Sequence, residues 1–94
     1  MARATLHGVV LAESDAVETV EGCVYFPRDR VRMEHLQRCA TRTICPWRGA
    51  ATYYDVQVGD RVEPAAAWSY ETPKRRARRI EGAVAFWKAI EVVP

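Results

Sequence analysis

The stretch from Ala51 to Tyr70 constrains the fold more than any other part of this chain. Its first half alternates, with Tyr54, Val56 and Val58 on one face and Tyr53, Asp55 and Gln57 on the other. Period-two alternation belongs to a strand whose faces meet different surroundings. Gly59-Asp60 then supplies a turn, and Val62 to Tyr70 returns as the second strand. A two-residue loop would set Val58 against Arg61 and Val56 against Glu63, mixing apolar with charged. A three-residue loop pairs Val58 with Val62 and Tyr54 with Ala66, which keeps one face apolar and is the expected register. Pro64 cannot donate to a ladder and marks a place where a bulge would serve equally.

The remaining segments are also mostly strand-like. Val9 to Ala12 is a short apolar run between turn formers, entered through His7-Gly8 and left through Glu13-Ser14-Asp15. Ala16 to Glu21 alternates, and Cys23 to Phe26 follows until Pro27 ends it. Arg28 to Arg38 reads as a loop anchored by Val31, Met33 and Leu36, with a helical turn at Glu34 to Gln37. One helix is expected, with Thr72 as N-cap, Pro73 at the first helical position and Gly82 at the end. It offers only Ala77 and Ile80 as a buried seam, so it should lie on the surface. Val84 to Trp87 and Ile90 to Val93 are the last strand candidates. The expected fold class is mainly β, with small antiparallel sheets and one short helix in a single domain over 1–94.

A chain of 94 residues can bury roughly 60–65% of its extended surface, enough for one modest core. Its 49% hydrophobic and 28% charged content is that of a soluble globular protein. A net charge of +2 is too small to argue by itself for a nucleic-acid partner. No apolar run approaches the roughly 18–20 residues that cross a bilayer, and the N-terminus carries no signal-peptide pattern, so a cytoplasmic location is expected. Cys23, Cys39 and Cys45 are odd in number and show no Cys-x-x-Cys spacing, which argues against a disulfide framework. His35 and Cys39 would suit one helix face as zinc ligands, but Cys23 has no paired ligand beside it. Free thiols, no metal and no cofactor are the expectation.

Chemistry-bearing residues concentrate around Thr43 to Gly49. Cys45 is the one candidate nucleophile there, and an enzyme using it is an alternative function. A reactive thiol needs a lowered pKa, which Arg42 or Arg48 would have to supply, since His7 and His35 have no link to it in sequence. A cysteine before proline is more often a small buried hydrophobe. Six aromatics (Tyr25, Trp47, Tyr53, Tyr54, Trp68 and Tyr70) recur across neighbouring strand segments. A small domain does not bury so many polar-tipped rings completely, so part of the set should line an open groove. The groove residues named on this reading are Tyr25, Thr43, Trp47, Arg48, Tyr53, Trp68 and Tyr70, holding a planar or cationic small metabolite. Nucleotidyl transfer lacks its parts, with no Asp-x-Asp pair and no Gly-rich phosphate loop. Lys74, Arg75, Arg76, Arg78 and Arg79 would be the readers in a nucleic-acid alternative, which the low net charge disfavours. No membrane partner is expected. The chain is expected to be a monomer or a homodimer, the latter through an uncovered strand edge.

Read together, several motifs resemble one family. They are Leu11-Ala12-Glu13-Ser14, Val20-Glu21-Gly22, Tyr25-Phe26-Pro27, Thr43-x-Cys45-Pro46-Trp47-x-Gly49-x-Ala51, Tyr53-Tyr54, Ala66-Ala67-Trp68-Ser69-Tyr70 and Val84-Ala85-Phe86-Trp87. In this order they resemble the small bacterial domains of domain of unknown function family 427, sometimes labelled nucleotidyltransferase-like. The resemblance implies a β-tent fold, in which two small antiparallel sheets lean together over a ligand groove. Zinc-bearing relatives of that architecture include methionine sulfoxide reductase B domains and the thalidomide-binding domain of cereblon. Their paired Cys-x-x-Cys motifs are absent here, so the metal does not carry over. This chain departs from the pattern with Arg48 where lysine is common, with the basic run Lys74 to Arg79, and with a first strand that reads as trimmed.

Overall fold

Nine strands in three antiparallel sheets build the chain, described over residues 1–94 by a computed structural model. Strands β1 (Ala2–Leu6) and β2 (Val9–Ser14) form a hairpin, and β9 (Glu91–Val93) adds to the other side of β1. Strands β3 (Glu18–Val20) and β4 (Cys23–Tyr25) form a second, smaller hairpin. The main sheet runs β5 (Leu36–Cys45), β6 (Gly49–Val58), β7 (Arg61–Ser69) and β8 (Val84–Phe86), in that order. The fold is thus mainly β with small antiparallel sheets, as the strand periodicity requires. No helix is long and apolar enough to cross a membrane.

The main sheet has a core on each face because β6 and β8 send alternate residues to opposite sides. Tyr54 and Val56 of β6, with Val84 and Phe86 of β8, pack against Ala4, Leu6 and Leu11 of the three-stranded sheet. Ala51 and Ala85 face the other way, toward Val20 and Tyr25 of the β3–β4 hairpin and toward Tyr70, Ala77 and Ile80. Phe26 joins the layers, exchanging two backbone hydrogen bonds with Val84 at 2.8 and 2.9 Å.

Four local expectations are corrected. Ala2 to Leu6, given no strand bounds by the sequence, is a regular five-residue strand, β1, whose Ala2, Ala4 and Leu6 are buried on one side. The β6–β7 turn is the two-residue one, with Val58 opposite Arg61 and Val56 opposite Glu63. A bulge then repairs the apolar register, since Pro64, Ala65 and Ala66 stand opposite Asp55 alone and Tyr54 meets Ala67. Ala65 takes a left-handed φ of +51° there, and its N–H donates to the Asp55 carboxylate at 2.8 Å. The segment Arg28 to Arg38 is not a loop with one turn at Glu34. It holds two 3-10 turns, Arg28–Arg30 and Met33–His35, and then begins β5.

The expected helix is a 3-10 segment over Arg75–Ile80, interrupted at Ala77 (φ −108°, ψ 17°), with no side-chain cap. Its two buried residues, Ala77 and Ile80, are three apart, and a 3-10 turn stacks such residues on one edge. With only that pair to anchor it, nothing favours a wider α-helical stripe.

Candidate functional site

The turn from β5 to β6 carries Pro46-Trp47-Arg48, and the basic segment sits directly on it. The Lys74 backbone N–H donates to the Arg48 carbonyl at 2.8 Å, and Lys74 Nζ donates to the Pro46 carbonyl at 2.7 Å. Gly49 holds φ +111°, a conformation closed to side chains, and so delivers the chain back into β6 at that contact. Pro46, Trp47, Lys74, Arg75 and Arg76 line a shallow cleft of about 340 Å³. Trp47 is 36% exposed, and none of the three cations is ion-paired. Arg79, further along, pairs loosely with Glu18 at 3.9 Å, and Arg78 makes no ion pair. A larger hollow beside Met1, Glu13 and Asp29 has no aromatic wall, and its acids Glu13 and Asp15 already pair with Arg3 and the Met1 amino group.

The expected aromatic wall centres on Trp68. Register places Tyr53 of β6 and Ala85 of β8 on either side of it. Tyr53 leans against it with ring centroids 6.2 Å apart, while Tyr25 and Trp87 stand nearly perpendicular at 6.2 and 6.0 Å. Tyr25 is buried behind this wall, and its hydroxyl accepts from Trp68 Nε1 at 3.2 Å. Burial pushes the Tyr25 phenol above its ordinary pKa, with the Trp68 hydrogen bond and Arg48 pulling against that. Thr43 is exposed on β5 and donates to the Tyr53 hydroxyl at 3.2 Å. Tyr53 and Trp68 are half-buried, and Tyr70 is buried in the second core.

Arg48 links the wall to the cleft. Its guanidinium lies 4.8 Å from the Trp47 ring centroid and 5.9 Å from that of Tyr70, and it pairs with Glu21 at 2.7 Å. Burial works against its charge, but the Tyr70 phenol, Tyr25 and Glu21 outweigh burial and raise its pKa. Lys88 similarly covers Trp87 at 5.3 Å.

A second polar centre is built from residues that belong to no site motif of the sequence. The Glu71 carboxylate accepts from the Tyr54 hydroxyl, from Arg28 Nη2 at 3.2 Å and from Arg38 Nη2 at 3.0 Å. Arg28 also donates to Tyr54 at 2.9 Å and to the Gly82 carbonyl at 3.1 Å. Burial raises the Glu71 pKa, but the Tyr54 hydrogen bond and the two arginines overcome it and hold the carboxyl below its usual range. Arg38 is in turn held more firmly protonated by Tyr54 and Glu71. The three donors lie 17, 33 and 43 positions from Glu71 in sequence, so no local spacing could reveal the cluster.

Cys45 ends β5 half-buried, packed against the second core. His35 sits at the opposite end of β5 and bonds the Gln57 carbonyl at 2.9 Å, remote from the thiol. Cys23 and Cys39 are also unpaired and half-buried. No three His, Cys, Asp or Glu side chains converge as a metal site.

Comparison with known families gives a match over residues 1–93 to the family described as domain of unknown function (DUF427). No curated protein matches the chain.

Proposed function

The chain belongs to the family described as domain of unknown function (DUF427), and within it we propose that this member binds a small, planar, negatively charged metabolite. The binding place is the cleft between Pro46-Trp47 and Lys74–Arg76. One observation carries the reading: a partly exposed indole faces three cations that no carboxylate neutralises. A flat ring stacks on the face of Trp47 turned away from Arg48, and its acidic group takes the ammonium and guanidinium donors. Tyr70, buried in the second core, reaches this turn through the Arg48 guanidinium 5.9 Å from its ring, while Tyr25, Thr43, Tyr53 and Trp68 contact one another beyond it.

A cationic ligand is the weaker choice. The rings that would hold it already carry the protein's own cations, Arg48 on Trp47 and Tyr70 and Lys88 on Trp87. No geometric feature favours the Cys45 nucleophile, because Arg48 is engaged with Glu21 and both histidines lie elsewhere.

Tryptophan fluorescence titrated with adenosine 5′-monophosphate, a planar phosphate ester, tests the proposal. Quenching should saturate, and affinity should fall as salt rises. Replacing Lys74, Arg75 and Arg76 together with Gln should weaken binding by about tenfold, as expected of three partly solvated charge contacts. Binding unchanged in that triple variant would refute the cleft. Retention of single-stranded DNA without any response to the mononucleotide would replace the metabolite with nucleic acid.

A further inference from the structure

Arg48 has a donor its surroundings do not use. Its side chain is only 13% exposed, and its Nε is buried without a hydrogen-bond partner. The partner it does have comes from an exposed place: Glu21, 56% exposed, sits at the tip of the β3–β4 hairpin. Glu21 and Gly22 form that tip with φ of +51° and +80°, the pattern of a tight hairpin turn whose first position suits Asn or Gly. A glutamate there accepts backbone strain while offering its carboxylate to a nearly buried cation.

The location connects this pair to the cleft. Trp47 lines the cleft and lies under the Arg48 guanidinium, and the Arg48 carbonyl holds Lys74 in place. A planar fork of donors suits a phosphate-type oxyanion at least as well as a single carboxylate oxygen. Resting on the cleft reading above, we infer that Arg48 is a second anion receptor and that Glu21 is its resident stand-in. A phosphoryl oxyanion of the ligand exchanges with the Glu21 carboxylate, which swings out with the hairpin tip. Glu21 thereby tunes affinity, because every binding event must displace it.

The test compares Glu21→Asn with Glu18→Gln, each titrated with adenosine 5′-monophosphate and with inorganic phosphate. Asn keeps the left-handed turn and removes the competing charge. Glu18→Gln removes an equal charge from the same hairpin, where the carboxylate faces Arg79 instead. Glu21→Asn should bind the mononucleotide about tenfold tighter than the unaltered chain, and Glu18→Gln should not. Tightening toward inorganic phosphate as well would show the oxyanion alone to be the exchanging group; tightening toward the mononucleotide only would assign that group to a ring-bearing phosphate ester. Unchanged or weaker binding in Glu21→Asn, or equal tightening in both variants, overturns the exchange. If the Lys74, Arg75 and Arg76 variant weakens binding while Glu21→Asn is neutral, the cleft stands and only the exchange fails. If no protein in the series responds to either probe, the cleft reading fails first.

Discussion

Glu71 shows what a single side chain does when three donors meet it. Its carboxyl is held below the ordinary range near 4.5, so the folded chain binds its proton less readily than the unfolded chain does. The stability it lends is therefore complete above about pH 5 and is lost as pH falls through the lowered value. Glu71→Gln should cost about 1–2 kcal/mol at pH 7, a modest figure because Arg28 and Arg38 are partly solvated. Urea denaturation at pH 7 and at pH 3 checks this, and the gap between variant and parent should narrow in acid. A gap that stays constant would mean that packing, not the charge, sets the cost. At this scale the sequence was legible only where neighbours share a ladder. Tyr53 and Trp68 lie on neighbouring strands and both were expected at the groove, yet the expected register sets Tyr53 opposite Ala67; the bulge opposite Asp55 is what makes the two rings direct partners. Glu71, Arg28 and Arg38 meet only because β5, the end of β7 and the segment after β4 converge, which no residue spacing records.

Elements were legible where apolar residues recur at strand spacing. The β6–β7 hairpin, β2, β4 and β8 all carry apolar residues with strand spacing, and each was found within a residue or two. β5 was missed because an edge strand owes its shape to one neighbour rather than to a core. Most of its residues are exposed, Ile44 as much as 78%, so its sequence carries no amphipathic signal. The segment after β7 was legible in its seam and not in its geometry. Thr72-Pro73 reads as a helix start, yet the structured turn begins at Lys74 without a side-chain cap. Two substitutions separate these views. Thr72→Ala should leave stability within about 0.5 kcal/mol, where an N-cap would cost about 1 kcal/mol. Ile80→Ala should cost about 2–4 kcal/mol, because Ile80 is fully buried in the second core. Thermal melts of both variants suffice, and a marked loss in Thr72→Ala would restore the capped α-helix.

For the molecule as a whole, the consequence of sharing one sheet between two cores is cooperativity. β6 sends Tyr54 and Val56 to one face and Ala51 to the other, so neither core can open without unpairing strands that the other needs. A chain of this length has only about 5–14 kcal/mol of stability to distribute. Half of such a structure, with its sheet face open to water, would not hold together alone. Val56→Ala in the first core and Ile80→Ala in the second should therefore each lower one common transition. Trp68 lies against the second core and reports it by fluorescence, while far-ultraviolet circular dichroism reports all three sheets. The two signals should coincide in both variants, with Val56→Ala costing about 2 kcal/mol. If Ile80→Ala moved the fluorescence transition and left the dichroism transition in place, the basic segment and its core would be a separately melting layer. The cleft against Pro46 and Trp47 would then open before the sheets do, and ligand bound there should draw the two transitions back together.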